Sequence, residues 1–325
     1  MKANKLVAIG VSIFLVSQPM SVVAAADEVD VVTTVEAVSE VVGTTDVEFG
    51  GTTGSSFTAV SEAGEVVAPP TAAGNLVLGD LAVALPGEQS SRGIESDGTI
   101  VYPQIHEDTD LAVNVTDAGF QMFAVLNSEN ADTTVEFGMD VSGANQTIQL
   151  ADDGSAVISA TYHDPASGTD LSVEIASIDK PWAVDAEGNS IDTEYSVVGS
   201  TLVQTINTDA TTEYPVVADP KVHFSCGYVT CTIRFNRSAT RDIRDGSGIA
   251  GGASTMTAAI CGALSAGTCV VVAGVIAGYL WTQQTFAGRY YENGNCYGVK
   301  FNLYPPPPAT ASWPTQVKRG TYNCS

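Results

Sequence analysis

The segment Phe120-Gln121-Met122-Phe123-Ala124-Val125, preceded closely by Val113-Asn114-Val115, decides the fold of this chain. Both stretches alternate or run apolar over the length of one strand, which is typical of β structure with a buried face. The same pattern occurs at Leu76-Val77-Leu78 and at Gln146-Thr147-Ile148-Gln149-Leu150. A series of short strands of this kind predicts an antiparallel β domain.

Turn signals separate these strands. They include Asp152-Asp153-Gly154-Ser155 and Asp185-Ala186-Glu187-Gly188-Asn189, both rich in residues that favour hairpin connections. The pattern of an amphipathic helix does not interrupt the series. Short strands with regular turns and no helices predict a mainly β, β-sandwich-like domain over residues 76–220.

The charge of the chain changes sign near residue 220. Residues 27–220 carry 34 acidic side chains against Arg92 and Lys180, a net charge of −32. Residues 221–325 carry nine basic side chains against three acidic ones, a net charge of +6, and they hold all six cysteines. Such an asymmetry indicates two modules with different roles. The acidic balance of the larger module excludes nucleic acid as a partner, because phosphate would be repelled.

The first 26 residues have the layout of a secretory signal peptide. Lys2 and Lys5 precede an apolar stretch from Leu6 to Val16, and small residues then lead to Asp27. We expect cleavage after Ala26 and a secreted or cell-surface protein. The apolar stretch falls well short of the ~20 residues that a membrane-spanning helix needs.

The composition of residues 27–75 predicts an acidic spacer that is disordered or extended. The segment is rich in Val, Thr, Ala, Glu, Gly and Ser, and its only large rings are Phe49 and Phe57. An alternative remains open, because the valine pairs of this segment could add an edge strand to the following domain.

Residues 221–325 are predicted to form a small, disulfide-stapled α+β module. Val222-His223-Phe224 and Thr232-Ile233-Arg234-Phe235 resemble strands, and Ser238 is a candidate N-cap for a short basic helix. The uncharged run 246–288 is expected to form a helical hairpin of two short helices, 250–263 and 269–287. A proline connector, Pro305 to Pro308, precedes a last strand near 316–324.

The cysteines of an exported chain are expected to be oxidised. Within one straight helix Cys261 and Cys269 would be about 12 Å apart, too far for a disulfide. We therefore expect the chain to fold back between them. Cys226 and Cys231 suit the tip of a hairpin, which leaves Cys296 and Cys324 to join the C-terminal strands. Six cysteines allow fifteen connectivities, so these pairs rest on proximity alone.

Two segments carry a resemblance. Val101-Tyr102-Pro103 with Asp108-Thr109-Asp110-Leu111-Ala112-Val113, and the closing Tyr214-Pro215-Val216-Val217-Ala218-Asp219-Pro220, resemble a β domain of exported actinobacterial proteins whose activity is uncharacterised. In that group the domain ends in a Tyr-Pro-Val-x-x-Asp-Pro signature. The cysteine-containing, Gly- and Ala-rich C-terminal module is similar to the last part of such proteins. The resemblance implies an extracellular β-sandwich and no particular reaction.

Candidate catalytic and metal-binding residues are few. His106, His163 and His223 are scattered, and none has a Cys or Glu at metal-ligand spacing. The segment 294–298 has the form of a nucleophile elbow with Cys296 in place of serine, but no histidine follows it. The acidic segments 107–110 and 151–154 lack a full calcium-ligand spacing. We therefore expect no catalytic site, no metal and no cofactor.

The sequence thus favours a secreted, non-enzymatic interaction or structural protein of the cell surface or the medium. One alternative is a membrane-active, bacteriocin-like C-terminal module that the acidic domain keeps soluble. Gly274 and Gly278 would let helices approach closely in lipid, and the basic residues outside the run would attract cell envelope or anionic lipid. A buried helical hairpin explains the same residues. An extracellular hydrolase is the third and weakest hypothesis.

Overall fold

The computed structural model describes residues 26–42, 47–50, 55–87, 91–141, 145–164, 169–225, 230–245, 280–302, 312–319 and 324. They form three helices and three antiparallel sheets. The helices are α1 (Ala26–Val42), α2 (Arg237–Asp245) and α3 (Leu280–Glu292). The strands, in chain order, are β1 (Phe57–Ser61), β2 (Gly64–Ala68), β3 (Asn75–Leu78), β4 (Leu81–Ala84), β5 (Ile94–Ser96), β6 (Thr99–His106), β7 (Thr109–Thr116), β8 (Gly119–Leu126), β9 (Thr134–Val141), β10 (Asn145–Leu150), β11 (Ala156–Asp164), β12 (Thr169–Ile178), β13 (Ala183–Val184), β14 (Ser190–Ile191), β15 (Thr193–Val198), β16 (Thr201–Ile206), β17 (Val216–Ala218), β18 (Lys221–Phe224), β19 (Thr230–Arg234), β20 (Cys296–Asn302) and β21 (Ser312–Val317).

Strand β8 is the centre of the larger, 11-stranded sheet. It pairs with β7 along one edge, and β17 and β18 divide its other edge between them. Its side chains alternate between two apolar layers, with Phe120 and Met122 on one face and Phe123 and Val125 on the other. All eight of its residues are buried. The stretch that stands out in the sequence is therefore covered on both faces.

The smaller, seven-stranded sheet covers one face of the larger sheet. Its strands follow the order β1-β2-β3-β4-β9-β16-β15. Leu76, Leu81 and Phe137 of this sheet share one core with Phe120 and Met122 of the other. Two antiparallel sheets that bury their inner faces against each other are a β-sandwich, and the predicted fold class is confirmed.

Helix α1 covers the opposite face of the larger sheet. Val35 and Val38 are buried among Val101, Phe123 and Val217. The helix contains seven valines and two threonines among its 17 residues, and β-branched residues form helices poorly without tertiary contacts. The contacts of α1 with the sheet therefore stabilise a helix that the intrinsic propensity of its residues would not. The interpretation of residues 27–75 as a disordered or extended spacer is wrong for this segment.

The same interpretation is wrong for residues 57–68, which form the hairpin of β1 and β2. The two strands pair from Phe57–Ala68 to Ser61–Gly64, and β2 continues the sheet through β3. The side chains of β1 alternate strictly between buried and exposed positions, so the strand has one face in the core. The alternative of an added edge strand is the one that the structure supports. The sandwich therefore begins near residue 57.

The change of charge at residue 220 falls inside the sandwich. Strand β18 begins at Lys221 and pairs with both β8 and β12. The approach is close, because a Cβ added to Gly119 would lie 2.2 Å from the carbonyl oxygen of Val222. Glycine is the residue that permits this contact. The β domain thus extends four residues beyond the predicted boundary.

The C-terminal module contains a three-stranded sheet, β19-β20-β21, with α2 and α3 packed on one face. Asn236, and not Ser238, caps α2, since its side-chain oxygen accepts a hydrogen bond from the Ala239 N–H at 2.8 Å. The last strand is Ser312–Val317, earlier than predicted.

Most of the predicted helical hairpin and the proline connector lie outside the described residues. None of the helices in the described part of the chain is long and apolar enough to span a membrane.

Candidate functional site

The predicted cysteine pair at the C-terminus is confirmed. Cys296 and Cys324 form a disulfide with a Cα–Cα distance of 5.5 Å, and both are buried beside Val317. The bond fixes the start of β20 to the end of the chain, and it removes Cys296 as a candidate nucleophile. Cys231 lies in β19. Cys226, Cys261 and Cys269 lie outside the described residues, so their pairings stay predictions.

Carboxylates of the acidic segments considered as metal sites accept structural hydrogen bonds. Asp110 is buried, and its carboxylate accepts hydrogen bonds from the Thr34 hydroxyl at 2.6 Å and the Gln104 N–H at 2.7 Å. Asp153 accepts from the hydroxyl and the N–H of Ser155 in a turn, and these bonds lower the pKa of Asp153. Among the residues that the structure describes, no group of three His, Cys, Asp or Glu could hold a metal ion.

The three histidines lie in three different strands. His106 ends β6 and His163 lies in β11, while His223 lies in β18. The Nε2 atom of His223 is 2.9 Å from Oδ2 of Asp179, and both side chains are partly exposed. His223 also lines a cleft between the sandwich and the C-terminal sheet, to which residues of both modules contribute.

This feature, the seam cleft, has a volume of about 240 Å³. Two tight turns of the sandwich and two strands of the C-terminal sheet contribute to its walls. The residues that line it are polar with few exceptions: Glu62, Ala63, Asp117, Ala118, Ser177, His223, Phe224, Ser225, Thr232, Arg234 and Lys300. Both signs of charge therefore face one space.

Backbone hydrogen bonds hold the walls of the seam cleft in place. The Ala63 N–H donates to the Asp117 carbonyl at 2.9 Å, which ties the two sandwich turns together. The Phe224 N–H donates to the Ala118 carbonyl, and the Thr232 N–H donates to the Ser225 carbonyl, both at 2.8 Å. The last bond joins β19 directly to the end of β18. The cleft is therefore built by the fold before any ligand enters.

An ion pair across the seam reinforces this connection. Nη1 of Arg234 in β19 pairs with Oε1 of Glu174 in β12, and Ser225 donates to the same oxygen at 3.1 Å. Glu174 is almost fully buried, so its charge needs a partner. Burial lowers the pKa of Arg234, but a guanidinium starts from so high a value that it stays charged. Arg234 thus belongs to the framework of the cleft.

One face of the C-terminal sheet lies toward the seam cleft. Lys300 in β20 is the direct partner of Thr232 in β19 and of Trp313 in β21. Directly paired residues of antiparallel strands project to the same face, so these three side chains form a row across the sheet. The other face carries Phe235 and Tyr297, which stack at 5.8 Å and pack under the helices.

Two members of this row, Lys300 and Trp313, are open to solvent. Trp313 is 48% exposed, a high value for a large aromatic side chain in a strand. Lys300 is exposed as well, and it forms no ion pair with any residue in the described part of the chain. Thr232 and Lys300 line the cleft, so Trp313 stands next to its lysine side. Across the sheet, the row presents a hydroxyl group, then an ammonium group and then an aromatic face.

The closing signature of the sandwich, by contrast, is buried. Asp219 is fully enclosed, and its Oδ1 accepts from the Trp182 N–H at 3.0 Å and the Tyr195 hydroxyl at 3.4 Å. Burial raises the pKa of Asp219 to about 7, against the effect of these hydrogen bonds. Oδ2 of Asp219 has no hydrogen-bond partner among the described residues. Asp219 therefore contributes to the packing of the sandwich and not to an accessible site.

Sequence reasoning missed the seam cleft. Lys300 pairs with Thr232, which lies almost seventy residues earlier in the chain, and Trp313 joins the row by pairing with Lys300. Comparison with known protein families gives no matching family model, and comparison with curated proteins gives no similar sequence.

Proposed function

We propose that this protein is a secreted, non-catalytic interaction protein that binds a component of the cell envelope through the seam cleft. The observation that carries the proposal is the row of Thr232, Lys300 and Trp313. It leaves a half-exposed indole, and an ammonium that forms no ion pair with any described residue, at a preformed polar cleft. Tryptophan is enriched among the residues that contribute most to binding, so an exposed indole beside hydrogen-bonding groups at a cleft suits a binding site.

Several features support a binding role over a reaction. Cys296 is held in a disulfide and therefore cannot serve as a nucleophile. The signal-peptide layout of residues 1–26 and the oxidised pair Cys296–Cys324 fit an extracellular location. The resemblance to exported actinobacterial proteins points to the same compartment. N-terminal sequencing of the exported protein tests this part of the proposal and should give Asp27 as the first residue.

The binding role is tested with the full mature chain and envelope fragments of an actinobacterium. Lys300→Glu reverses the charge at the cleft, whereas Lys318→Glu makes the same change at an exposed lysine that does not line it. We expect Lys300→Glu to weaken sedimentation with the fragments at least fivefold and Lys318→Glu to leave it unchanged. Failure of the wild-type chain to bind would contradict the envelope role. Equal loss in both variants would show that general charge, and not the cleft, governs binding.

A further inference from the structure

The chemistry of the seam cleft selects among classes of envelope component. Glu62 and Asp117 offer carboxylates, whereas Lys300 and Arg234 offer cationic donors, and Ser177, Ser225 and Thr232 offer hydroxyls. An anionic ligand would meet the two carboxylates, and a cationic one would meet Lys300 and Arg234. A ligand whose groups both donate and accept hydrogen bonds suits all of these side chains, and the hydroxyl group is such a group.

Trp313 adds a second requirement for the ligand, which must offer a surface that can stack on an aromatic ring. An aromatic face carries partial negative charge, so it attracts C–H groups that are polarised by neighbouring oxygens. The C–H groups of a sugar ring are polarised in this way and lie together on the faces of the ring, while its hydroxyls project from the edge. Trp313 therefore offers a platform for a ring face, and the adjacent Lys300 and Thr232 can bond the ring edge.

We infer that the seam cleft and Trp313 bind a neutral saccharide, with one ring stacked on Trp313 and its neighbour held by the polar side chains of the cleft. This inference rests on the proposed function and names the class of its ligand. The cleft volume of about 240 Å³ suits a single ring, so a longer chain would continue across the exposed row. The preformed walls of the cleft favour such a ligand, because few protein groups must be ordered on binding.

The test compares three fractions of the envelope to which the mature protein binds. The probes are the protein extract, the acidic polymers retained on an anion exchanger, and the neutral polysaccharide freed of both. We expect the neutral fraction alone to compete with intact fragments and to change the tryptophan fluorescence of the wild-type chain. Competition confined to the acidic or the protein fraction would overturn the inference while leaving the interaction role intact. Absence of any binding to fragments would instead remove the proposed function itself.

Three variants locate the ring platform. Trp313→Ala should weaken binding of the neutral fraction at least tenfold, and Trp313→Phe should recover a substantial part of the loss because it restores an aromatic face. Val198→Ala is the control, since Val198 is an exposed apolar side chain on a different sheet. Circular dichroism should confirm that all three remain folded. Wild-type affinity in Trp313→Ala, or an equal loss in Val198→Ala, would overturn the assignment of Trp313.

Discussion

The sandwich and the C-terminal module differ in how each is held together. Large apolar side chains fill two layers of the sandwich, one between the sheets and one under α1. The described C-terminal sheet packs only one face against helices, and it relies on the Cys296–Cys324 disulfide and on cross-seam contacts of Arg234. The sandwich is therefore stabilised mainly by the burial of apolar area, and the C-terminal module by its disulfide and the ion pair of Arg234. Thr232, Lys300 and Trp313 are not part of the buried core, so they can form a binding row.

The largest expected effect tests whether the sandwich depends on its buried rings. Phe120→Ala removes a fully buried side chain from the layer between the sheets and should lower the free energy of unfolding by about 3–5 kcal/mol. Denaturant unfolding monitored by circular dichroism measures it. Val198→Ala, at an exposed position, should change stability by less than about 0.5 kcal/mol. Similar effects of the two variants would contradict the assignment of this layer as the core.

The next effect tests the links of the C-terminal module. Replacing Cys296 and Cys324 together by alanine opens a loop with a sequence separation of 28 and should cost about 2–4 kcal/mol. Hydrogen exchange should show faster exchange in β20 and β21, with β7 and β8 unchanged. If protection is lost equally in β8, the two regions unfold as one unit and the contrast between them does not hold.

A third effect concerns pH and the buried Asp219. Its pKa lies near 7 in the folded chain and near 3.8 when unfolded, so the folded state binds more protons between these values. Stability should therefore fall as the pH rises from about 4 to about 7. Asp219→Asn should remove this dependence and gain on the order of 2 kcal/mol over the wild type at pH 8. Thermal melts of both proteins from pH 4 to pH 8 measure it, and parallel curves would be the contrary result.

The smallest effect concerns the outer layer of the sandwich. Thr34→Val removes the hydroxyl that donates to Asp110 and should cost about 1 kcal/mol, since the buried carboxylate keeps its other donors. Proteolysis within α1 should become faster. Glu36→Gln, at an exposed position of the same helix, is the control and should leave the rate unchanged. An unchanged rate in Thr34→Val would mean that the valines of α1 alone hold the helix.

The strands of the sandwich could be predicted because each carries its own signal. Phe120 to Val125 marks a buried strand by composition, and the turn at 152–155 forms as its residues indicate. Helix α1 could not be predicted, because its valines favour strands and only the outer sheet face makes the helix stable. The disulfide Cys296–Cys324 was accessible by elimination, because pairing the cysteines that lie closer in sequence leaves these two. The seam cleft was not, since β-pairing between Thr232, Lys300 and Trp313 is a property of the folded sheet.

The position of β18 in the middle of the larger sheet has a mechanical consequence. A pull on the C-terminal module enters the sandwich along β18, which is held between β8 and β12. The hydrogen bonds of an antiparallel pair lie perpendicular to the strands, so such a pull loads them side by side in shear. They must break together, and not one after another as in a peeled edge strand. The joint between the two modules therefore resists tension along the chain.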